Sequence, residues 1–199
     1  MVNRGIFLPL LLLACACQSE QDPPAGTAAP DPVPPSRAEA GNITYGGIDD
    51  SSVTLVNGGW EGQPWVEGGA ARPRAGLADG FDVRGDMDGD GSDERVVLLW
   101  TSSGGSGTFD YLAVVARAPD GKAVNTATAP LGDRVKVHAA RIEEGSLVLD
   151  VVQAGPNDAM CCPGQKVRRT FALEGSGLME ISSEDLGRIF PDPAEKVSE

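Results

Sequence analysis

"RVVLLWTSSGGSGTFDYLAVVARAPDGK", residues 95–122, decides the reading of the fold. "RVVLLW" is a short, nearly continuous apolar run of strand length, the pattern of a strand buried on both faces. A Gly- and Ser-rich turn follows. "TFDYLAVVARA" then runs as a second, longer strand and stops at "PDGK", a turn built from residues that favour turn dihedrals. Two strands joined by so short a connection pair antiparallel.

The same rhythm continues on both sides of this hairpin. Upstream, "ITYGG" and "SSVTLVNGGW" read as two strands around "IDDS", with a further turn at "NGG". Residues 61–80 are rich in Gly and Pro and read as a long irregular loop. Downstream, "AVNTATAPLG" precedes "RVKVHAARI", in which Val135, Val137 and Ala139 alternate with Arg134, Lys136 and His138, as in a half-exposed strand. "LVLDVVQAG" is a further strand, and "KVRRTFALE" with "GLMEI" makes a last hairpin. "SSEDLGRIF", residues 182–190, reads as a short terminal helix capped by Ser182 or Ser183. Strands at about ten-residue spacing predict an all-β chain, an antiparallel meander forming a barrel or a two-layer sandwich. The expected domain covers residues 42–190, with a frayed tail over 191–199.

Composition agrees. The chain has 199 residues, of which 41% are hydrophobic, enough for one domain with a real core. It has 26 Gly, 15 Pro and only 5% aromatic residues, which favours turns and short strands. A net charge of −13 repels phosphate backbones and anionic lipid, so nucleic acid is not an expected partner.

The first residues read as an export signal. Arg4 supplies a positive charge, and "GIFLPLLLLA" is too short an apolar run to span a bilayer stably. Leu12-Leu13-Ala14-Cys15 resembles the bacterial lipobox, in which the cysteine is lipidated after cleavage. The resemblance implies a signal peptide over 1–14 and lipidation at Cys15, with Cys17 as the alternative. More than one acyl chain makes such an anchor stable. No Asp follows either cysteine, so in a cell with two membranes the resemblance implies the outer one, with the domain facing the periplasm. Residues 15–41 then form a Pro- and Ala-rich tether with almost no large apolar residue, a composition that stays disordered.

Before the "RVVLLW" strand lies "GDMDGDGSDE". Asp86, Asp88 and Asp90 alternate, so their side chains can converge on one point as the loop curls, while Gly89 and Gly91 supply the tight backbone and Ser92 a carbonyl. Oxygen-only ligands at this density suit calcium. The alternative is an acidic turn held by Asx-type hydrogen bonds without an ion. The EF-hand template fails at its closing glutamate, where this chain has Val97. The stretch instead resembles the calcium loop of FG-GAP repeats, which feeds directly into a strand. That resemblance implies ligands Asp86, Asp88, Asp90, the Ser92 carbonyl and Glu94, with Glu94 one methylene longer than the usual Asp. Without an open-site ligand nearby, the ion is expected to be structural.

Cys161 and Cys162 are adjacent. In an oxidising compartment three readings stand: a strained vicinal disulfide stiffening a loop, two buried thiols acting as small hydrophobes, or a redox or metal role. His138 is the one histidine, which removes most classical triads and zinc sites, and it falls on an exposed strand face. No catalytic motif is present: "GGSG" is not the nucleophile elbow, and the P-loop and HExxH patterns are absent. Tyr45, Trp60 and Trp65 stand in a Gly-rich segment and could line a ligand groove.

Lipobox, Pro-rich tether, "TYGGI…VTLVNGGW", "DGDG", "GGSGTF" and "CCP" together resemble bacterial envelope lipoproteins, and the resemblance carries no activity with it. The expected function is a membrane-tethered, non-enzymatic binding or structural module with a protein or glycan partner. The rival is a glycan-directed envelope hydrolase using two carboxylates in a cleft.

Overall fold

The computed structural model describes residues 33–159 and 161–189. The signal peptide, both lipidation candidates (Cys15 and Cys17), the tether up to residue 32 and the tail from 191 lie outside the described residues. The described chain is mainly β and antiparallel, a sandwich-like arrangement without barrel closure. It runs α1 (Arg37–Ala40), β1 (Thr44–Ile48), β2 (Ser51–Thr54), β3 (Gly59–Glu61), β4 (Arg74–Leu77), β5 (Val83–Gly85), β6 (Glu94–Ser102), β7 (Phe109–Arg117), β8 (Ala123–Asp133), β9 (Lys136–Glu143), β10 (Ser146–Gln153), β11 (Gln165–Glu174) and β12 (Gly177–Arg188).

The hairpin β6–β7 is the centre of a six-stranded sheet ordered β3-β4-β6-β7-β8, with β5 also paired to β6. Its apolar runs are continuous because both faces are covered. Val96, Leu98, Leu112 and Val114 meet Leu147, Leu149, Val151, Val167 and Phe171 of the second sheet, ordered β12-β11-β10-β9. Val97, Leu99, Tyr111, Ala113 and Val115 face the other way, onto Tyr45, Ile48, Val53 and Leu55 of the β1–β2 hairpin and Ala40 of α1. Each buried Val, Leu, Ile or Phe among them contributes about 1.5–3 kcal/mol relative to leaving it in water, so the hairpin ties together two cores. Pro130 sits exposed in β8, an edge strand, where a missing N–H is tolerated.

The turns follow their residues. Asp49 and Asp50 both take positive φ, 47° and 58°, between β1 and β2. Glu144 and Gly145 do the same between β9 and β10. Positive φ at both central residues is the two-residue hairpin turn whose twist matches the strands.

Three expectations are corrected. No terminal helix forms at 182–190 among the described residues. β12 continues to Arg188 and pairs with β11, placing Ser183 opposite Arg169 and Glu184 opposite Arg168. The segment carries a capping residue, but its apolar residues are confined to its last turn, which Gly187 interrupts, and strand pairing wins.

Residues 33–41, expected in the tether, belong to the folded unit. Ser36 and Glu39 form a reciprocal capping box on α1. Buried Arg95 donates to the Pro35 carbonyl and pairs with Asp82. Arg117 donates to the Val33 carbonyl (3.1 Å) and to Glu39 (3.0 Å), and Arg37 donates to the carbonyls of Phe81 and Ala78.

The alternation in β9 slips at a bulge opposite Asp150 and Val151. Val137, Ala140 and Ile142 pack inward, whereas Ala139 faces out. His138 is the extra residue and is exposed, as expected.

Candidate functional site

Two tryptophans are brought to one groove. Trp60 lies on β3, opposite Ala75 of β4. Its ring packs against Gly62 and Pro73: a Cβ on Gly62 would stand 2.7 Å from the Pro73 ring and 2.8 Å from the indole, so only glycine fits between them. Trp65 comes from the loop between β3 and β4. Its indole N–H donates to the Ser103 carbonyl at 2.6 Å, and its backbone N–H donates to Ala71. The Gly/Ser turn between β6 and β7 thus holds this loop. Gly104 (φ 89°) completes the fit, since a Cβ there would stand 2.8 Å from the backbone N of Arg72. With its N–H tied down, Trp65 remains 65% exposed as a residue, a large apolar side chain held in place at little further entropic cost.

The groove has a volume of about 310 Å³ and is lined by Ile48, Val53, Trp60, Trp65, Pro73 and Ser102, among others. Asp49, Ser51 and Arg74 add polar groups. Glu61 pairs with Arg72 (2.6 Å) and Arg74 (2.9 Å), and these guanidinium groups, Arg72 foremost, hold its carboxyl below the usual range. A concave apolar wall with a few convergent polar groups is the general form of a binding site. Tyr45 is not part of it. Its side chain is fully buried and its hydroxyl donates to the Ala40 carbonyl at 2.7 Å, so Tyr45 is a core residue, and burial raises its pKa well above the ordinary phenol range.

The acidic loop brings together Asp86, Asp88 and Glu94, whose ligand oxygens lie within 4.8 Å of one another. Asp90 stays outside this group and accepts from the Ser92 N–H at 2.7 Å. The loop is knit by its own carboxylates. Asp86 accepts from the N–H groups of Gly89 (2.7 Å) and Gly91 (3.0 Å), Asp88 from Asp90 (3.1 Å), and Glu94 from Met87 (2.8 Å). Gly89 and Gly91 both have positive φ, as the tight curl requires. Glu94 is 3% exposed, and its carboxyl is raised above the usual range by burial first and by Asp88, Asp90 and Asp86 after that. Three converging carboxylates, each with lone pairs beyond its one or two backbone bonds, fit a hard cation taken in an oxygen shell. The site would be architectural, since it closes the turn that enters β6.

Cys161 and Cys162 stand on the loop between β10 and β11. Both are exposed free thiols, with Sγ atoms 2.6 Å apart. Exposure removes the reading of two buried hydrophobes. Asp158, missed in the sequence, organises this loop: it accepts from Gly155 and Gly164 (both 2.8 Å) and pairs with Arg188. These bonds, Gly155 first, bring its carboxyl down to about 2. The available signal was the turn cluster "GPND" just ahead of the cysteines.

A hydrolase would need two carboxyls facing each other across a cleft. The nearest counterpart is Asp110, on β7, with Asp133, at the end of β8. Asp110 is 8% exposed and accepts the Val135 N–H at 3.1 Å, where the chain leaves one sheet for the other. Burial, offset in part by that bond, and then the Asp133 charge push it up to about 6. Asp133 pairs with Arg134 at 3.2 Å. Asp110 therefore ties the crossover between sheets through one carboxylate oxygen.

No family model, curated protein or solved structure matches the chain.

Proposed function

We propose that the protein is a lipid-anchored module of the bacterial cell envelope that binds a protein or glycan partner through the Trp60–Trp65 groove and catalyses no reaction there. One observation carries the reading. Trp65 is held by its N–H and by the β6–β7 turn, yet it leaves two thirds of its surface to solvent beside Trp60. An aromatic face kept both rigid and wet stabilises little in the free protein, and it is the kind of anchor that dominates binding energies.

The anchor belongs to the same proposal. Lipidation at Cys15 or Cys17 would leave fifteen to seventeen residues before the folded unit at Val33. At about 3.1 Å per residue, a Pro-rich segment of that length reaches roughly 50 Å from the membrane surface. This places the groove of a tethered domain within reach of envelope polymers and neighbouring proteins. Calcium at Asp86, Asp88 and Glu94, with Asp90 and the Ser92 carbonyl as candidate further ligands, would stiffen the turn into β6.

The test is a crosslinked pull-down from envelopes, comparing the wild-type chain with Trp65→Ala. A partner captured reproducibly by the first and lost with the second supports the reading. Capture of the same partners by both, or turnover of an envelope glycan by the purified chain, defeats it.

A further inference from the structure

The vicinal cysteines lie outside the groove and need a separate account. We propose that Cys161 and Cys162 form a reversible two-electron thiol–disulfide exchange site. Three observations converge on it. Both thiols are exposed, and their sulfurs are in contact. The loop carrying them is pinned at its ends by a single side chain, since Asp158 accepts from Gly155 before the pair and from Gly164 after it and also holds Arg188. A turn closes inside that frame, where the Cys162 N–H donates to the Ala159 carbonyl at 2.8 Å. Pro163 then keeps Cys162 out of helical conformations. The pair thus stands on a loop tied down on both sides, outside the strands.

The chemistry balances with a disulfide as oxidant. One sulfur, as thiolate, attacks the oxidant R–S–S–R; an S–S bond breaks, R–S⁻ leaves and takes up a proton, and a mixed disulfide forms. The second cysteine, losing its proton to solvent, attacks the first sulfur and expels the other R–S⁻. The protein loses two protons and two electrons, and the oxidant becomes two thiols. Proximity makes the second step fast.

The product would be reversible for a covalent reason. Adjacent α-carbons are about 3.8 Å apart, whereas unstrained disulfides span about 4.4–6.8 Å. A strained and exposed bridge has a more oxidising potential than a structural one and exchanges readily. The pair therefore suits passing or sensing oxidising equivalents better than stapling the fold.

The experiment uses the full chain with Cys15→Ser and Cys17→Ser, which leaves Cys161 and Cys162 as its two thiols. It is treated with excess oxidised glutathione at mildly alkaline pH and followed by intact-mass and peptide mass spectrometry. The expected result is loss of two hydrogens from the 161–162 peptide, no retained glutathione, and return of both thiols in excess reduced glutathione. Adding Cys162→Ser should trap one glutathione on Cys161. Glutathione adducts persisting on the intact pair, two thiols left unreacted, or a closed form that survives excess reduced glutathione would each overturn the proposal.

Discussion

Replacing Asp110 by Asn tests a carboxylate that the fold buries near Asp133. The amide keeps an oxygen for the Val135 N–H (3.1 Å) and removes the charge. In the fold the carboxyl titrates at about 6, against 3.8 for the ordinary side chain, because it is buried and stands near Asp133. The native state therefore holds its proton more tightly than the unfolded chain. Between those two values stability falls as pH rises. Below 3.8 both states are protonated and the group contributes nothing; above 6 the full cost is present. At 1.36 kcal/mol per decade, that cost is about 3 kcal/mol at neutral pH, an upper bound set by how far the surroundings relax. Asp110→Asn should thus match the wild type near pH 4 and exceed it at pH 7.5 by about 2–3 kcal/mol, or roughly 5–10 °C in Tm for a domain of this size. Urea denaturation of both proteins at intervals between these pH values measures the difference directly. A difference that is constant across the range, or that grows toward low pH, would show that the carboxyl is not held neutral by the fold.

Three further outcomes follow from the same geometry. Calcium should raise the Tm of the chain and a chelator should reverse it, with about 2.7 kcal/mol gained at a hundredfold excess over Kd; Asp88→Asn should abolish the response, and an unchanged melt on adding calcium to the wild type would refute the ion. Tyr45→Phe should cost about 1–2 kcal/mol by leaving the buried Ala40 carbonyl unpaired, while capture of any envelope partner stays at the wild-type level; lost capture in a folded Tyr45→Phe would return Tyr45 to the binding surface. Arg117→Ala should loosen the Val33–Glu39 stretch, seen as faster proteolytic cleavage there with the β domain intact, because Arg117 contacts both Val33 and Glu39; unchanged cleavage would show that the Arg95–Pro35 and Arg37 contacts hold the stretch without it.

What was legible in the sequence was what burial makes local. β6 and β7 could be read because both their faces are covered, so every residue reports the core. Trp60 and Trp65 stand among glycines with no apolar period around them, and the fold brings both to one groove. The rest failed where the deciding partner is distant. Residues 33–41 have linker composition, and their order comes from Arg95 and Arg117, sixty to eighty positions on. Tyr45 was misplaced because Gly46 and Gly47 erase the alternation that would have marked an inward position.

The terminal segment shows the same competition in energetic form. A capping serine before acidic residues stabilises a helix by about 1 kcal/mol, and only if the helix has a face to bury. Residues 180–187 are exposed along their whole length, so a helix there would gain no core contact, whereas β12 gains a ladder with β11 and the Arg169–Glu180 pair at 2.6 Å. The same logic separates the acidic loop from the groove. Local signals sufficed to find Asp86, Asp88 and Glu94 because the loop closes on itself within nine residues. The groove needs Ser103 and Pro73 to hold its tryptophans, and nothing short of the folded β6–β7 turn brings those residues together. A binding surface built on such long-range supports is therefore expected to be sensitive to the Gly62 and Gly104 contacts as well as to the tryptophans themselves.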